Sequence, residues 1–444
     1  MSFISIDYLI FFFLVIVIES LIQTKGKNNL FNVFLLICNY FFYSFYDWKC
    51  SFLLFFVTLL TFECGKKRKK TLINFAIVLD VVVLAFFKYF NFFLNNIGFD
   101  AMNIILPIGL SFYIFESISY LVDIKRKKIE PEENFIIFAN YLCFFPNIIS
   151  GPISRSSNLL TQIKNDKKIT IKNIEMGIQI MAIGYFKKMV IADRLSIFTD
   201  AIFFAPKAYN WYTILLAIFS YSIQIYMDFS GYSDIAIGSA KCLGYEIEKN
   251  FNFPYFSSSF TEFWRKWHIT LSSWFRDYVY IPLGGNRKGK IKQLINLLIV
   301  MSLSGFWHGA NWNYLIWGFV NGAILCIEKV TTKRKINLIN TVINFVLISF
   351  TWLIFRINTF EKLIQIITGL FTLQSGVSHL YVWTFVYFTL TIIVTLIIKK
   401  KNNEINYLLF DLNTIKGLTL FFIELGLILC FAYANTNPFI YFQF

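Results

Sequence analysis

Apolar positions along this chain come in long unbroken runs rather than alternating with polar ones. YLIFFFLVIVIESLIQ (8–23), LINFAIVLDVVVLAFFKYFNFFL (72–94) and WTFVYFTLTIIVTLII (383–398) show the pattern. About 20 mainly apolar residues cross the ~30 Å hydrocarbon core as a helix, and roughly a dozen segments approach that length or fall short of it. Barrel strands would alternate apolar and polar residues over about ten positions, and these runs do not. The pattern predicts an all-α polytopic membrane protein. The first run is preceded by Asp7 and not followed by a small-residue cleavage site before TKGKNN, so it is expected to be a retained anchor.

Basic clusters punctuate the runs at 66–70, 125–128, 164–172, 286–292, 333–335 and 399–401. Short cytoplasmic loops collect Lys and Arg, so an even number of crossings should separate one cluster from the next. Two runs lie between the first pair of clusters, and two lie between 292 and 333. Only one run, 134–150, lies between 128 and 164, and a single run cannot leave and return. A re-entrant segment buried in protein is expected there. No repeat period and no polar stretch long enough for a soluble domain are visible. The chain is expected to form one membrane domain over 1–444, with N-terminal helices to 100, a motif-bearing core over 101–357 and C-terminal helices from 358.

Composition sharpens this reading. The 444 residues are 57% hydrophobic, 20% aromatic and 15% charged, well below the usual quarter of charged residues. The net charge of +15 is a topology signal, so nucleic acid is not an expected partner, whereas membrane lipid is. The seven cysteines have no CxxC spacing and imply neither a disulfide framework nor a zinc site.

Three stretches carry candidate chemistry. GFWHGANWN (305–313) sets His308 between two apolar runs, beside Trp307, Asn311, Trp312 and Asn313 and the small Gly305, Gly309 and Ala310. A histidine there either hydrogen-bonds a neighbouring helix or serves function. The crowd of amides and small residues points to a polar pocket.

In TEFWRKWHITLSSWFRDYVYIPLGGNRKGK (261–290), helical spacing puts Trp264, His268, Leu271, Phe275 and Tyr278 on one stripe and Arg265, Ser272 and Arg276 on another. Such a helix suits either the headgroup region or a protein-lined cavity. Pro282 and the two glycines after it are expected to end the helix. In SIQIYMDFSGYSD (222–234), Gln224 and Asp228 share a helical face, and a buried Asp228 needs a partner such as Arg265 or Arg276. An interhelical polar clamp is the simpler reading of that stretch. Ser302 and Ser304 lack a GxSxG context, and His268, His308 and Asp277 make a thin basis for a metal site.

Taken together, WRKWHITLSSWFRDYVYIPLGGNR, GFWHGANWN, QIYMDFSGYSD, LPIGLSFYIFESISYLVD (106–123) and FFPNIISGPISR (144–155) resemble the membrane-bound O-acyltransferase family. RDYVYIPLGGNR looks like the branch that acetylates bacterial polysaccharides such as alginate or peptidoglycan. The D-alanyl branch serving teichoic acids is similar but usually departs from PLGGNR.

The resemblance implies a ring of tilted helices around a thinned centre in the bacterial cell membrane. It also implies that His308 is the catalytic histidine and His268 a second functional one. Acetyl would pass from acetyl-CoA to an extracytoplasmic glycan, directly or through an SGNH-type acetyltransferase partner, with no permanently bound cofactor. An imidazole can take the hydroxyl proton. Asn311, Trp307 or backbone N–H groups near Gly309 could face the oxyanion. Trp264, Arg265, Arg276, Asp277, Gln224 and Asp228 would support the site, and Arg287, Lys288 and Lys290 could attract the donor's phosphates. A D-alanyltransferase and a lipid or polysaccharide transporter are the alternatives, although no repeat of the kind transporters carry is visible.

Overall fold

A computed structural model describes residues 1–24, 28–149, 151–165, 168–331, 337–401 and 410–433. The basic cluster at 333–335 lies outside the described residues. In hydrocarbon each backbone N–H and C=O must be satisfied within its own segment, which leaves helices as the answer to long apolar runs. Among the described residues the only extended pairing is an isolated bridge, Tyr209 to Val377.

Six described helices are long and apolar enough to cross a membrane: Ile6–Thr24, Trp48–Lys66, Lys70–Asn96, Trp211–Cys242, Trp312–Thr331 and Leu338–Arg356. The chain is therefore a multi-pass, all-helical membrane protein. Phe13, Phe52, Phe75 and Ile364, on different helices, lie exposed, as lipid-facing side chains do.

Two compact units are formed, one from Met1–Ile183 with Tyr232–Lys249 and the other from Gly184–Gly231 with Asn250–Phe444. The first contains the run that breaks the crossing count. Its helices Phe135–Leu142, Phe145–Ile148 and Leu159–Lys164 have 8, 4 and 6 residues. At 1.5 Å per residue the longest reaches about 12 Å, so none crosses. That agrees with a re-entrant segment. Buried Glu116 holds it, accepting from Asn147 Nδ2 at 2.6 Å and from the Ser154 N–H at 2.8 Å. Gly109, at φ 73°, meets the same segment, and a Cβ there would lie 2.2 Å from the Ile148 carbonyl oxygen.

The second unit contains both the His268 and the His308 stretches and is organised around a helical hairpin. Lys290–His308 runs out, residues 309–311 turn, and Trp312–Thr331 runs back. Both expected runs are helical, and the returning arm Trp312–Thr331 is one of the six long apolar helices, but His308 is the last residue of its helix rather than a mid-span residue. Glycine sets the spacing. A Cβ on Gly305 would lie 2.2 Å from the Tyr314 carbonyl oxygen, and one on Gly318 would lie 2.3 Å from that of Met301. Gly322 continues the line against Met301 and Leu298. Small residues four apart allow backbones to meet, and the contact energy between membrane helices comes from such packing.

The fold therefore predicts that Gly318→Ala destabilises the hairpin. Overpacking costs about 1–3 kcal/mol, so the detergent-solubilised variant should melt several degrees below wild type by nanoscale fluorimetry. Gly426→Ala, where a Cβ meets nothing within 4 Å, should melt with wild type.

Candidate active site

The helix expected across 261–280 is broken at its most interesting residue. Phe260–Lys266 ends at Trp267, His268 sits at φ 41°, and Ile269–Phe275 restarts and runs into a π-helical turn, Arg276–Tyr280. The left-handed region is costly for a residue with a Cβ and persists only when neighbours over-determine it. Here the irregular stretch 250–252 does so. The Ile269 N–H donates to the Asn250 carbonyl at 2.9 Å, and the Asn252 N–H donates to that of Lys266 at 3.0 Å. Neither contact is visible in local periodicity, which is why the continuous stripe fails as a reading.

The break buries His268 to 1% exposure. The Asn250 side-chain oxygen accepts from the Thr270 hydroxyl at 2.6 Å and lies 3.2 Å from His268 Nδ1. An amide oxygen only accepts, so Nδ1 is the protonated nitrogen in this assignment and Nε2 keeps its lone pair. His268 lies outside the long spanning helices, and burial pushes its pKa down to about 3, keeping the ring neutral. Asn250 is a site residue that no motif in the sequence pointed to.

Upstream, Phe260–Lys266 is capped twice. Ser259 accepts from the Glu262 N–H at 3.1 Å, and Glu328, from the returning arm of the hairpin, accepts from the Phe260 N–H at 2.7 Å. Downstream, the PLGGN turn ends the helical path as expected, with Gly284 and Gly285 at positive φ. Asn296 Nδ2 fastens that turn by donating to the Gly285 carbonyl at 3.0 Å.

His308 is enclosed by aromatic rings. Trp317 and Phe355 meet it edge-on, each at 5.3 Å with interplanar angles of 85° and 82°, and Trp307 lies 4.9 Å away. Trp307 is also 6.0 Å from His268, so one indole stands against both histidines, which are forty residues apart in the chain. Trp264, Trp352 and Trp267 extend the cluster, with Trp264 5.6 Å from Trp317. The pocket read from the small residues is filled differently: a Cβ on Gly309 would strike the Tyr314 ring at 2.4 Å. The small residues serve close packing, and the histidine's surroundings are aromatic rather than amide-rich.

Asn311 and Asn313 are used in the hairpin turn. Asn311 Oδ1 accepts from the Asn313 N–H at 3.1 Å, and its Nδ2 donates to the Asn358 carbonyl at 3.4 Å. Asn313 Nδ2 donates to the Ile357 carbonyl. These bonds draw the end of Leu338–Arg356, and with it Phe355, onto His308.

Beside the cluster lies a cavity of about 270 Å³, lined by Trp264, Arg265, Ser272, Arg276 and Lys329 among others and by Gln293 through Ser304 of the Lys290–His308 helix. Gln293 to Ser304 is about 16 Å of helix, and Ser304 is one turn from His308. Three expected site residues thus share one space. Asp277 stays outside it, paired with Arg276 at 2.8 Å. Arg287 and Lys288 are exposed in the turn after Pro282 and do not line the cavity, whereas Lys329 does.

Gln224 and Asp228 are buried, and the cation paired with Asp228 is a lysine rather than the expected Arg265 or Arg276. Gln224 accepts from the Thr199 hydroxyl at 2.6 Å. Asp228 pairs with Lys188 at 2.5 Å, and Lys188 also meets Asp193 at 2.7 Å. Lys188 lies in the π-helical turn Phe186–Ala192, forty residues from Asp228, so sequence proximity could not reveal it. Phe229, next to Asp228, meets His268 edge-on at 4.7 Å. The ion cluster therefore pins the helix that shapes one wall of the His268 site.

Known proteins are similar to this chain in sequence. Residues 131–360 match the model of the membrane-bound O-acyltransferase family. A Pseudomonas syringae pv. tomato protein described as "Probable alginate O-acetylase AlgI" is 40% identical over 350 residues, covering 73% of this chain and 67% of its own. The peptidoglycan O-acetyltransferase of Helicobacter pylori is 34% identical over 409 residues, covering 81% and 77%. The teichoic acid D-alanyltransferase of Bacillus subtilis is 27% identical over 249 residues, covering 52% and 62%.

Removing one member of a buried ion cluster strands the others, at about 3–5 kcal/mol. Lys188→Met should thus lower the thermal midpoint sharply, and adding Asp228→Asn to it should recover part of the loss. A single variant as stable as wild type would remove the cluster's structural role.

Proposed function

The chain belongs to the membrane-bound O-acyltransferase family, as an O-acetyltransferase, and from that premise we propose a reaction for its two histidines. Acetyl moves from acetyl-CoA on the cytosolic side to hydroxyls of an extracytoplasmic glycan, alginate-like or peptidoglycan. His308 is the general base. The transfer is direct or passes through an SGNH-type acetyltransferase partner.

The observation that carries the reading is the cavity's course. It begins among Gln293 and Lys329, at the basic end of the hairpin, and reaches Ser304, one turn below His308. The narrow thioester-bearing arm of a donor suits such a space, with its phosphate-bearing end left at the basic mouth near Lys329, Arg265 and Arg276. Arg287 and Lys288, exposed nearby, add to the attracting field without lining the cavity.

The chemistry follows from the cage. The imidazole of His308 takes the acceptor's hydroxyl proton as the oxygen attacks the thioester carbonyl. The C–S bond then breaks, and the imidazolium returns the proton to the departing thiolate. Rings on three sides fix the imidazole's orientation and keep bulk water from competing as the nucleophile. His268, neutral and held by Asn250, helps to position Trp307, the indole that also stands against His308. Asn311 is committed to the turn by its two hydrogen bonds, which favours backbone N–H groups near Gly309 for the oxyanion.

A transporter has no need of family kinship to acyltransferases, and that reading falls away. D-alanyl transfer is less favoured than acetyl transfer, because the D-alanyltransferase relative matches only about half of the chain while the O-acetyltransferases match most of it.

General-base help is worth about 10²–10⁴-fold. Cells carrying only His308→Ala, inserted at normal level, should have envelope acetyl esters at background while glycan export continues. Unchanged esters would remove His308 from the base role. Arg265→Ala with Arg276→Ala should raise the KM for acetyl-CoA about tenfold or more with a smaller effect on kcat. Equal KM values would take the cavity out of donor binding.

A further inference from the structure

The third histidine, His379, is the one chemistry-bearing residue of its type that the proposed reaction leaves unused. It lies in the mixed polar and apolar stretch 372–381, between Phe360–Phe371 and Val382–Lys401. This stretch is strapped to residues 206–213. Val377 N–H donates to the Ala208 carbonyl at 2.8 Å, Trp211 N–H to that of Gln374 at 3.0 Å, and Gln374 Nε2 to that of Tyr209 at 2.6 Å. The His379 N–H donates to Thr213 Oγ1 at 3.1 Å.

On this fixed backbone three rings lie nearly parallel. Phe198 and Tyr381 are 5.6 Å apart at 9°, Phe198 and His379 5.7 Å at 21°, and His379 and Tyr381 6.0 Å at 14°. Phe198 is buried beneath, His379 is exposed and Tyr381 is half-buried. Aromatic contacts elsewhere in this unit are mostly edge-on, as around His308. A flat, accessible stack held by a buried ring is a different arrangement.

Its side and its neighbours are both defined. Val382–Lys401 ends in three lysines and Lys290–His308 begins at Lys290, so the basic ends face the cytosol and residues 372–381 share the opposite face with His308. A chain of contacts joins the two. Phe198 lies two residues from Asp200, which accepts from Arg356 at 2.6 Å, and Phe355, the neighbour of Arg356, touches His308.

We propose that His379 and Tyr381, backed by Phe198, form a stacking platform that seats a sugar of the acceptor glycan beside the His308 end of the site. This rests on the glycan-acetylating reading above. A pyranose ring carries an apolar C–H face that lies flat on the negative face of an aromatic ring. Its hydroxyl edge would meet the exposed Thr372, Ser375 and Ser378 around the stack. A protein partner would need about 800 Å² on each side, more than a patch of two accessible rings offers.

The test is binding of fluorescent, unacetylated alginate and peptidoglycan-glycan hexasaccharides to the full chain in lipid nanodiscs. His379→Ala and Tyr381→Ala should each weaken Kd about tenfold, and His379→Phe should restore wild-type affinity because the ring, not the imidazole, does the stacking. Affinity unchanged in both alanine variants, or no measurable binding by wild type, overturns the platform. So does loss in His379→Phe equal to that in His379→Ala. Envelope esters that survive His308→Ala would instead overturn the reading on which the platform rests, whatever the glycan affinities.

Discussion

Close contact between the two arms of one helical hairpin is the constraint on which the rest of this site depends. Where Gly305 faces Tyr314 and Gly318 faces Met301, backbone meets backbone, and no side chain fits between them. That contact fixes where the turn falls, and the turn puts His308 at the end of a helix. The returning arm then presents Trp317 to the imidazole and, further along, Glu328 to the start of Phe260–Lys266. The same two helices line the cavity, Gln293 to Ser304 from one arm and Leu325 and Lys329 from the other. One packing interaction thus aligns a passage, its basic mouth and the histidine at its far end.

Around this hairpin, buried polar groups act as locators for functional ones. Asn250 holds His268 in a left-handed conformation that a histidine would not choose unaided. Lys188 holds Asp228, and through the next residue sets the edge of Phe229 against the same imidazole. Such groups are expensive in an apolar surrounding, and the expense is tolerated where geometry matters. The two histidines share Trp307, so an adjustment at either is felt by the same indole.

Much of this was legible in the residues. Run lengths revealed long apolar helices such as Ile6–Thr24 and Lys70–Asn96, the hairpin around His308 and the anomalous 134–150 segment, because hydrophobic length is a local property. Pro282 with Gly284 and Gly285 marked the end of a helical path for the same reason. The break at His268 was not legible, since it is imposed by backbone pairing with residues 250–252, and a helical stripe drawn through 264–278 carries no sign of it. The partner of Asp228 is Lys188 and not Arg265 or Arg276, because residues forty positions apart in the chain carry no local sign of which cation the fold brings to a carboxylate. Arg287 and Lys288 stood out as a charge cluster, yet Lys329, on the hairpin's second arm, is the lysine that reaches the cavity.

The account makes the hairpin a route with two ends, a donor at the basic one and an acceptor at the His308 one. The most direct measurement is acetyl transfer by the purified chain in oriented proteoliposomes, with labelled acetyl-CoA confined to one face and the glycan, with any partner it needs, to the other. Labelled ester should form when acetyl-CoA is on the face bearing Lys290 and the glycan is opposite, and fail to form when the two are exchanged. Equal ester formation in both arrangements, or formation only in the exchanged one, would contradict the account.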